Sequence, residues 1–376
     1  MIRARYRYTN LGTIFVTTWA VIYFFFILLW INFIPNKEDE TEASIKETLK
    51  NMDSMVHEHE DTEVKQMQLR FFGDNGDKLE HTTTTEPFQD LDELSQNINM
   101  GELSKFQDLV SWAGMEPKAV IYIIYSRLQK MRMLLESLQA NFLTNFRYPI
   151  VVFYEKKKMG DIPHIRSFLD SQYRIFFQIV KFETPSFITK EIVINPMCNY
   201  PVSYRHMLRF QSKTVYQQPI LKGMEYYWRL DDDSEVAAPI KFDIFKYMKE
   251  NKLQYGYQIQ TYDNGYCSGT FSEAIKKYKR MNHITPSFEL ETLRIYFTNF
   301  EVASFEFWHS KNYTNFIEYI DQLGGIYYER WSDAAIKSQA LSMFMPENKI
   351  HQFIDVPYRH VNYENYGVDS DGNALD

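Results

Sequence analysis

The feature that most constrains the fold is a repeated strand-and-helix pattern in the middle of the chain. Residues 118–125 form a continuous run of β-branched and aromatic side chains, typical of a strand buried on both faces of a parallel sheet. Apolar residues then recur at spacings of three and four over 128–142, which predicts an amphipathic helix. A second strand is predicted at 148–154 and a second helix at 164–171. This alternation predicts an α/β domain with a mainly parallel sheet, which would bind its ligand beyond the carboxyl ends of the strands.

The composition excludes two broad classes of protein. With 45% hydrophobic and 24% charged residues among 376, the chain can bury a substantial core, so it is not disordered throughout. The net charge of −8 argues against a nucleic-acid partner, because phosphate binding needs a basic face. Residues 37–110 carry 19 acidic and 7 basic side chains, whereas the part from residue 111 onward is close to neutral. Acidic motifs in that later part therefore do not belong to a generally acidic surface.

The amino-terminal region has the properties of a membrane anchor. No charged side chain occurs over 9–36, and the apolar segment 11–34 would form a helix about 36 Å long, enough to span a bilayer. Three arginines precede this segment and three acidic residues follow it closely, which places residues 1–10 in the cytoplasm and the rest in a lumen. A cleaved signal peptide is the alternative, but the segment is too long and lacks a small-residue cleavage site.

Residues 35–115 are interpreted as a luminal stem. This segment is acidic and polar and contains few aromatic residues, so it cannot bury enough apolar area to offset the entropy of ordering. We expect it to be largely flexible with short helical stretches. The folded domain is then predicted to span 116–376.

An acidic triplet supplies the candidate chemistry. A strand-like run over 225–230 ends in Asp231, Asp232 and Asp233. On an extended backbone Asp231 and Asp233 project to the same side, so that both carboxylates can reach one divalent cation. Such a cation can neutralise a diphosphate leaving group. An acidic turn is the alternative interpretation, but the position directly after a buried strand favours a site.

Several motifs together resemble one enzyme family. They are Ser203-Tyr204-Arg205-His206-Met207, the 226–233 segment YYWRLDDD, Asn299-Phe300-Glu301-Val302-Ala303, the 324–334 segment GGIYYERWSDA, and the closing pair of segments 349–353 and 358–360. In these motifs the chain resembles the fungal α-1,2-mannosyltransferases of glycosyltransferase family 15, from about residue 118 to 363.

The resemblance implies a fold, an activity and a location. It implies the GT-A type of α/β fold behind an amino-terminal transmembrane helix, in a type II membrane protein of the Golgi or endoplasmic reticulum. The implied reaction transfers mannose from GDP-mannose to a mannosyl acceptor on glycoprotein or glycolipid, with α-1,2 linkage and retention of configuration. Mn²⁺ is the implied cofactor. Whether retention proceeds through a covalent intermediate or by same-face return stays open.

The resemblance also assigns roles to individual residues. It places two residues beside the donor, Tyr204 and Arg205, and three at the metal, Asp231, Asp233 and His360. It implies that Glu301 is the nucleophile or charge stabiliser under the sugar and that Asp333 is an acid on the acceptor side. Ser332 and Asp333 also look like a helix start, so a capping role is the alternative for Asp333. Asp231 and Asp232 depart from the Glu-Pro-Asp of the family.

Further residues are candidates for acceptor binding and covalent modification. Sugar rings stack on aromatic faces, and three aromatic residues are candidate platforms: Trp308, Tyr328 and Trp331. Asn312 begins the one N-glycosylation sequon of the chain. Cys198 and Cys267 form one disulfide in an oxidising compartment or stay unpaired.

Two other functions fit the same sequence. One is a transferase of the same fold that uses a different nucleotide sugar. The other is a non-catalytic, lectin-like or scaffold relative, which the altered Glu-Pro-Asp motif keeps open.

Overall fold

The computed structural model describes residues 100–112, 116–360 and 363–365 of the chain. The helices are α1 (Met100–Trp112), α2 (Leu128–Leu138), α3 (Ile162–Ser167), α4 (Val202–Ser212), α5 (Ile244–Glu250), α6 (Phe271–Met281), α7 (Phe305–Trp308), α8 (Lys311–Leu323), α9 (Gly325–Tyr328) and α10 (Asp333–Phe344). The strands are β1 (Ala119–Ile124), β2 (Ile150–Glu155), β3 (Ile175–Val180), β4 (Tyr226–Asp231), β5 (Ser234–Val236), β6 (Tyr255–Tyr257), β7 (Gln260–Tyr262), β8 (Arg294–Tyr296), β9 (Phe300–Ser304), β10 (Ile350–Gln352), β11 (Tyr358–His360) and β12 (Tyr363–Asn365).

A seven-stranded sheet forms the centre of the domain, in the order β10-β6-β9-β4-β1-β2-β3. Neighbouring strands are parallel except at β9, which runs antiparallel to both β4 and β6. The predicted α/β class with a mainly parallel sheet is thereby confirmed. β4 is the middle strand of the sheet, between β1 and β9. Its last residue, Asp231, therefore lies at the centre of the row of strand ends.

Apolar side chains cover both faces of this sheet. Along β1, Val120 and Tyr122 belong to one buried cluster, and Ile121 and Ile123 belong to the other. Helices α4, α8 and α10 pack on the first face, and α2 packs on the second. Each large apolar side chain buried in this way contributes about 2 kcal/mol. This two-sided burial explains why the β1 sequence is apolar throughout and does not alternate with polar residues.

A small antiparallel sheet follows the carboxyl end of β4. Its strand order is β12-β11-β5, and β5 begins three residues after the end of β4. In this ladder His360 of β11 lies opposite Ser234 of β5. The pairing brings the end of the described chain back to the acidic triplet.

The predicted elements are present, with small shifts at their ends. The helix predicted over 128–142 begins at Leu128, and after Leu138 it continues as one π-helical turn to Leu143. The second strand occupies 150–155. The second helix occupies 162–167, earlier than predicted, because Pro163 fits the first turn of a helix.

The folded region begins before residue 116. Leu103 and Phe106 of α1 are buried, and the ring of Phe106 packs edge-on against Phe176 of β3 at 5.0 Å. Arg166 also donates a hydrogen bond of 3.0 Å to Glu102. The stem boundary predicted at 115 is therefore too late, because α1 has apolar side chains that the sheet can bury.

The predicted cytoplasmic tail and transmembrane segment, and most of the predicted stem, lie outside the described residues. Among the helices that the structure does describe, none combines the length and the apolar character needed to cross a bilayer.

Candidate active site

Two carboxylates and one imidazole meet at the carboxyl end of β4. Asp231, Asp233 and His360 each offer one ligand atom, and the three atoms lie within 4.8 Å of one another. Nε2 of His360 is 3.1 Å from Oδ1 of Asp233 and 3.8 Å from Oδ2 of Asp231. Oxygen and imidazole nitrogen ligands of this kind suit a divalent ion such as Mn²⁺. The donor set therefore fits the metal that the sequence resemblance implies.

Asp233 is held from both sides. Its Oδ1 faces His360, and its Oδ2 accepts a hydrogen bond of 2.7 Å from Nη2 of Arg127, the residue before α2. The hydrogen bond with His360 and the contacts with Arg127 lower the pKa of Asp233 to about 2, although partial burial opposes this change. Asp233 is therefore an anion over the whole physiological pH range.

Asp232 has a different task from its two neighbours. Its Oδ2 accepts hydrogen bonds from the backbone N–H and the hydroxyl of Ser126, at 2.8 and 2.7 Å, and from the backbone N–H of Arg127, at 2.7 Å. Asp232 is buried. It thereby fixes the turn between β1 and α2, which presents Arg127 to Asp233. This anchoring role of Asp232 is not evident from the sequence.

We call Asp231, Asp233 and His360 the metal cluster, because they are the candidate metal ligands. Arg229 links this cluster to the helix that carries Asp333. Its Nη2 is 3.2 Å from Oδ1 of Asp231, and its Nη1 donates to Oδ2 of Asp333. Thr298 donates a further hydrogen bond of 2.9 Å to Asp333. Burial would raise the pKa of Asp333, but Arg229 and Lys337 reverse that effect and lower it. Sequence reasoning missed Arg229, although it stands two residues before Asp231 and therefore projects to the same side of the strand.

Asp333 opens α10, as the sequence pattern predicts. The hydroxyl of Ser332 accepts a hydrogen bond of 3.0 Å from the backbone N–H of Ala335, which is an N-cap interaction. Asp333 thus lies in the first helical turn, where the helix dipole favours a negative charge. Its carboxylate bonds to Arg229 and Thr298, so the described contacts assign it to the buried ion-pair network and leave the cap to Ser332.

Glu301 is fully buried and paired. Its side chain is 0% exposed, and both oxygens accept hydrogen bonds from Nζ of Lys337, at 2.9 and 3.0 Å. The hydroxyls of Tyr227 and Tyr255 also donate to it. Burial lowers the pKa of Lys337, whereas the Glu301 carboxylate acts in the opposite direction. Lys337 is a partner of Glu301 that the sequence alone does not reveal.

The two residues predicted beside the donor lie in different environments. Tyr204 is half-buried and stacks on Tyr200 at 4.7 Å, and burial together with the charge of Asp333 raises its pKa. Arg205 is 1% exposed, and its Nη1 donates to the backbone carbonyl of Tyr327. The structure does not support Arg205 as a phosphate ligand, because its side chain points into the core.

Two of the three predicted acceptor platforms are also core residues. Trp308 stacks on Tyr216 at 5.1 Å, and Trp331 packs edge-on against Phe271 at 5.2 Å. Both indole rings are almost completely buried, so the structure does not support them as surfaces for a sugar. Tyr328 is half-buried, and its hydroxyl accepts a hydrogen bond of 3.3 Å from the backbone N–H of Lys190.

The two cysteines are paired, and the glycosylation sequon is exposed. Cys198 and Cys267 are joined by a disulfide, with their Cα atoms 5.3 Å apart. Asn312 is exposed in the first turn of α8, and Thr314 of the same sequon is also exposed.

Comparison with known proteins places this site in a family. Residues 74–370 match the family model described as glycolipid 2-alpha-mannosyltransferase. Glycolipid 2-alpha-mannosyltransferase 2 of Candida albicans is 35% identical over 176 residues, which is 43% of this chain and 38% of the relative. Alpha-1,2 mannosyltransferase KTR1 of Saccharomyces cerevisiae is 31% identical over 181 residues, or 45% of this chain and 46% of the relative. The aligned part thus spans less than half the length of these curated relatives.

Solved structures share the fold. The mannosyltransferase Ktr4p from Saccharomyces cerevisiae in complex with GDP superposes with a TM-score of 0.61 at 23% identity, covering 77% of this chain and 85% of that one. Core-mannan synthase A from Aspergillus fumigatus, in a Mn/GDP form, gives a TM-score of 0.60 at 21% identity and covers 66% of this chain and 76% of that one. With a family match that extends over most of its length, the chain belongs to the glycolipid 2-alpha-mannosyltransferase family.

Proposed function

We propose that the protein is a metal-dependent, retaining hexosyltransferase that transfers mannose from GDP-mannose to a mannosyl acceptor on glycoprotein or glycolipid, with α-1,2 linkage. The observation that carries the proposal is the convergence of Asp231, Asp233 and His360 at the carboxyl end of a central strand. Ligands of α/β sheets bind at this edge. Family membership and the names of the relatives support the choice of mannose.

The metal cluster would hold Mn²⁺ and through it the diphosphate of the donor. When bound, the ion neutralises the charge that develops on the diphosphate as it leaves. Asp231, Asp233 and His360 are the ligands in this proposal. Arg127 holds Asp233 in place, because its guanidinium bonds to the carboxylate oxygen that does not face His360.

The remaining residues act on the sugar and the acceptor in this proposal. During transfer the bond between the anomeric carbon and the diphosphate oxygen breaks, and the acceptor oxygen bonds to the anomeric carbon with retention of configuration. The proton of the acceptor hydroxyl passes to the departing diphosphate, which leaves as GDP. Tyr204 lies on the donor side and Asp333 on the acceptor side. Because its side chain is fully buried, Glu301 acts in this proposal through the field of its negative charge, which stabilises the electron-poor sugar without direct contact. Lys337 donates a hydrogen bond to each oxygen of that carboxylate in its buried position.

Activity with defined substrates tests the proposal. The purified full chain, incubated with GDP-mannose, Mn²⁺ and methyl α-mannoside, is expected to release GDP and form an α-linked disaccharide. Chelation of the metal should abolish the reaction, and Asp233→Ala should lower its rate by about 100-fold or more. Asp170→Ala removes an exposed aspartate outside the site and serves as the matched control.

Two results would contradict the proposal. Activity with a different nucleotide sugar and none with GDP-mannose would overturn the donor and leave the fold assignment intact. Binding of mannosides without transfer from any nucleotide sugar would favour the lectin-like alternative.

We further propose that the protein is a single-pass type II membrane protein of the Golgi or endoplasmic reticulum with a luminal catalytic domain. The charge-free segment 9–36, with arginines before it, supports this topology. The disulfide between Cys198 and Cys267 is consistent with an oxidising compartment.

A further inference from the structure

Exposed side chains with large apolar surfaces lie on the two segments that the disulfide joins. One segment carries Met197 and Tyr200, and the other carries Tyr262 and Tyr266. Tyr266 is 69% exposed and Tyr262 is 57% exposed. We call these four residues the aromatic patch.

The backbone beneath the patch is held in place. Cys198 and Cys267 are both buried at the ends of short 3-10 turns, and their bond ties the two turns together. In each turn the side chain of an asparagine, Asn195 or Asn264, accepts a hydrogen bond from the backbone N–H two residues later. The rings are therefore presented by anchored turns, so a ligand does not have to order these segments in order to bind.

Side-chain contacts link the patch to residues of the candidate active site. Tyr200 stacks on Tyr204, whose pKa is raised by burial and by the nearby charge of Asp333. The guanidinium of Arg330 lies over the Tyr200 ring at 5.0 Å and bonds to Asp263, at 3.1 Å. Through the stack of Tyr200 on Tyr204 the patch reaches a residue predicted to lie beside the donor.

A second link runs through the start of α10. Asp263, next to Tyr262 in the chain, accepts a hydrogen bond of 2.6 Å from the hydroxyl of Ser332, which caps the helix that carries Asp333. The charge of Asp263 is matched by Arg330, and a second guanidinium, that of Arg294, lies over the ring of Tyr262 at 5.9 Å. A ligand with apolar ring faces, and with hydroxyl oxygens that accept hydrogen bonds from guanidinium groups, suits this surface of tyrosine rings and arginines.

We propose that the aromatic patch binds the second and following sugar residues of a mannose-chain acceptor whose terminal mannose lies at the metal cluster. Pyranose rings have apolar faces that stack on tyrosine, and their hydroxyls reach polar groups at the ring edges. This inference rests on the proposed function, because it assumes that a mannoside is the acceptor. It adds that the enzyme selects chains of two or more sugars over a single mannose.

A comparison of acceptors of different length tests the patch. The full chain and its variants Tyr266→Ala and Tyr262→Ala are assayed with methyl α-mannoside and with mannotriose. Each variant is expected to lower kcat/KM for mannotriose about five-fold relative to that for methyl α-mannoside, which is the size of effect that one aromatic contact supplies. Met133→Ala, which trims an exposed apolar side chain on α2, is the matched control and should leave the ratio unchanged.

An unchanged ratio in both tyrosine variants would overturn the inference, as would an equal fall for both acceptors. Direct titration of mannotriose onto the chain without donor separates this inference from the proposed function. If the wild type binds mannotriose and Tyr266→Ala binds it about five-fold more weakly, the patch is a glycan site even when GDP-mannose is not the donor. If both bind equally, the patch is not a glycan site, whatever the donor.

Discussion

Four buried charged side chains pair between the central sheet and helix α10. The sheet supplies Arg229 and Glu301, which lie opposite each other on β4 and β9. The helix supplies Asp333 and Lys337, which are four residues apart and therefore lie on one face. Arg229 pairs with Asp333. Glu301 pairs with Lys337. Within this quartet the charges balance, which limits the cost of removing them from water.

At the scale of single residues, the ion pair between Lys337 and Glu301 gives a testable prediction. Lys337→Met leaves a buried carboxylate without its cation, so we expect the free energy of unfolding to fall by about 3–5 kcal/mol. Adding Glu301→Leu removes the orphaned charge and should restore most of that stability. Denaturant unfolding measures both effects. The double variant should regain stability without transferase activity, because it lacks the Glu301 charge that acts on the sugar in the proposed mechanism.

A surface pair is the control for this experiment. Lys246 and Glu250 form an exposed ion pair on α5, and Lys246→Met should cost less than about 1 kcal/mol. Equal losses in the free energy of unfolding for Lys337→Met and Lys246→Met would show that the buried pair contributes no more to stability than the surface pair.

At the scale of secondary-structure elements, short segments position the site. The ladder between β5 and β11 sets His360 opposite Ser234, one residue beyond Asp233. Helix α8 ends at Gly324, whose positive φ of 73° suits glycine, and α9 follows directly. The ring of Trp331 then packs on the backbone of Gly325, and α10 begins two residues after Trp331. The place of Asp333 therefore depends on close packing around two glycines.

This packing predicts the effect of a single methyl group. A Cβ atom at Gly325 would lie 2.2 Å from the indole ring of Trp331, so Gly325→Ala must displace that ring. We expect a loss of about 1–3 kcal/mol in the free energy of unfolding, together with lower transferase activity, because Trp331 leads into Asp333. Denaturant unfolding and the GDP-release assay measure the two effects.

Gly160→Ala is the matched substitution, since no atom lies within 4 Å of the Cβ position and the φ of Gly160 is not positive. It should change stability by less than about 1 kcal/mol. A loss at position 325 no larger than that at position 160 would contradict the packing argument.

At the scale of the whole molecule, the proposed topology decides how the domain meets its substrates. A luminal domain would face glycoprotein and glycolipid acceptors at the membrane surface. It would also expose the Asn312 sequon on α8 to the glycosylation machinery. Both properties follow from the charge pattern around 11–34, with three arginines before this segment and acidic residues after it.

The topology predicts how the protein in sealed microsomes responds to protease. The domain should survive added protease while the vesicles are intact and be digested after detergent opens them. Glycosidase treatment should increase the gel mobility of the wild type and leave Asn312→Gln unchanged. Digestion of the domain in intact vesicles would place it in the cytoplasm and contradict the proposal.

The amino-acid sequence by itself determined the α/β alternation, the shared side of Asp231 and Asp233, and the N-cap of α10 at Ser332. These features depend on neighbours a few residues away, through strand pleating, helical periodicity and capping. Only the tertiary structure decided which side chains the site presents. It buried Arg205, Trp308 and Trp331, and paired Glu301 with Lys337. Burial and pairing depend on contacts between segments that are distant in the chain, and local sequence patterns do not encode those contacts.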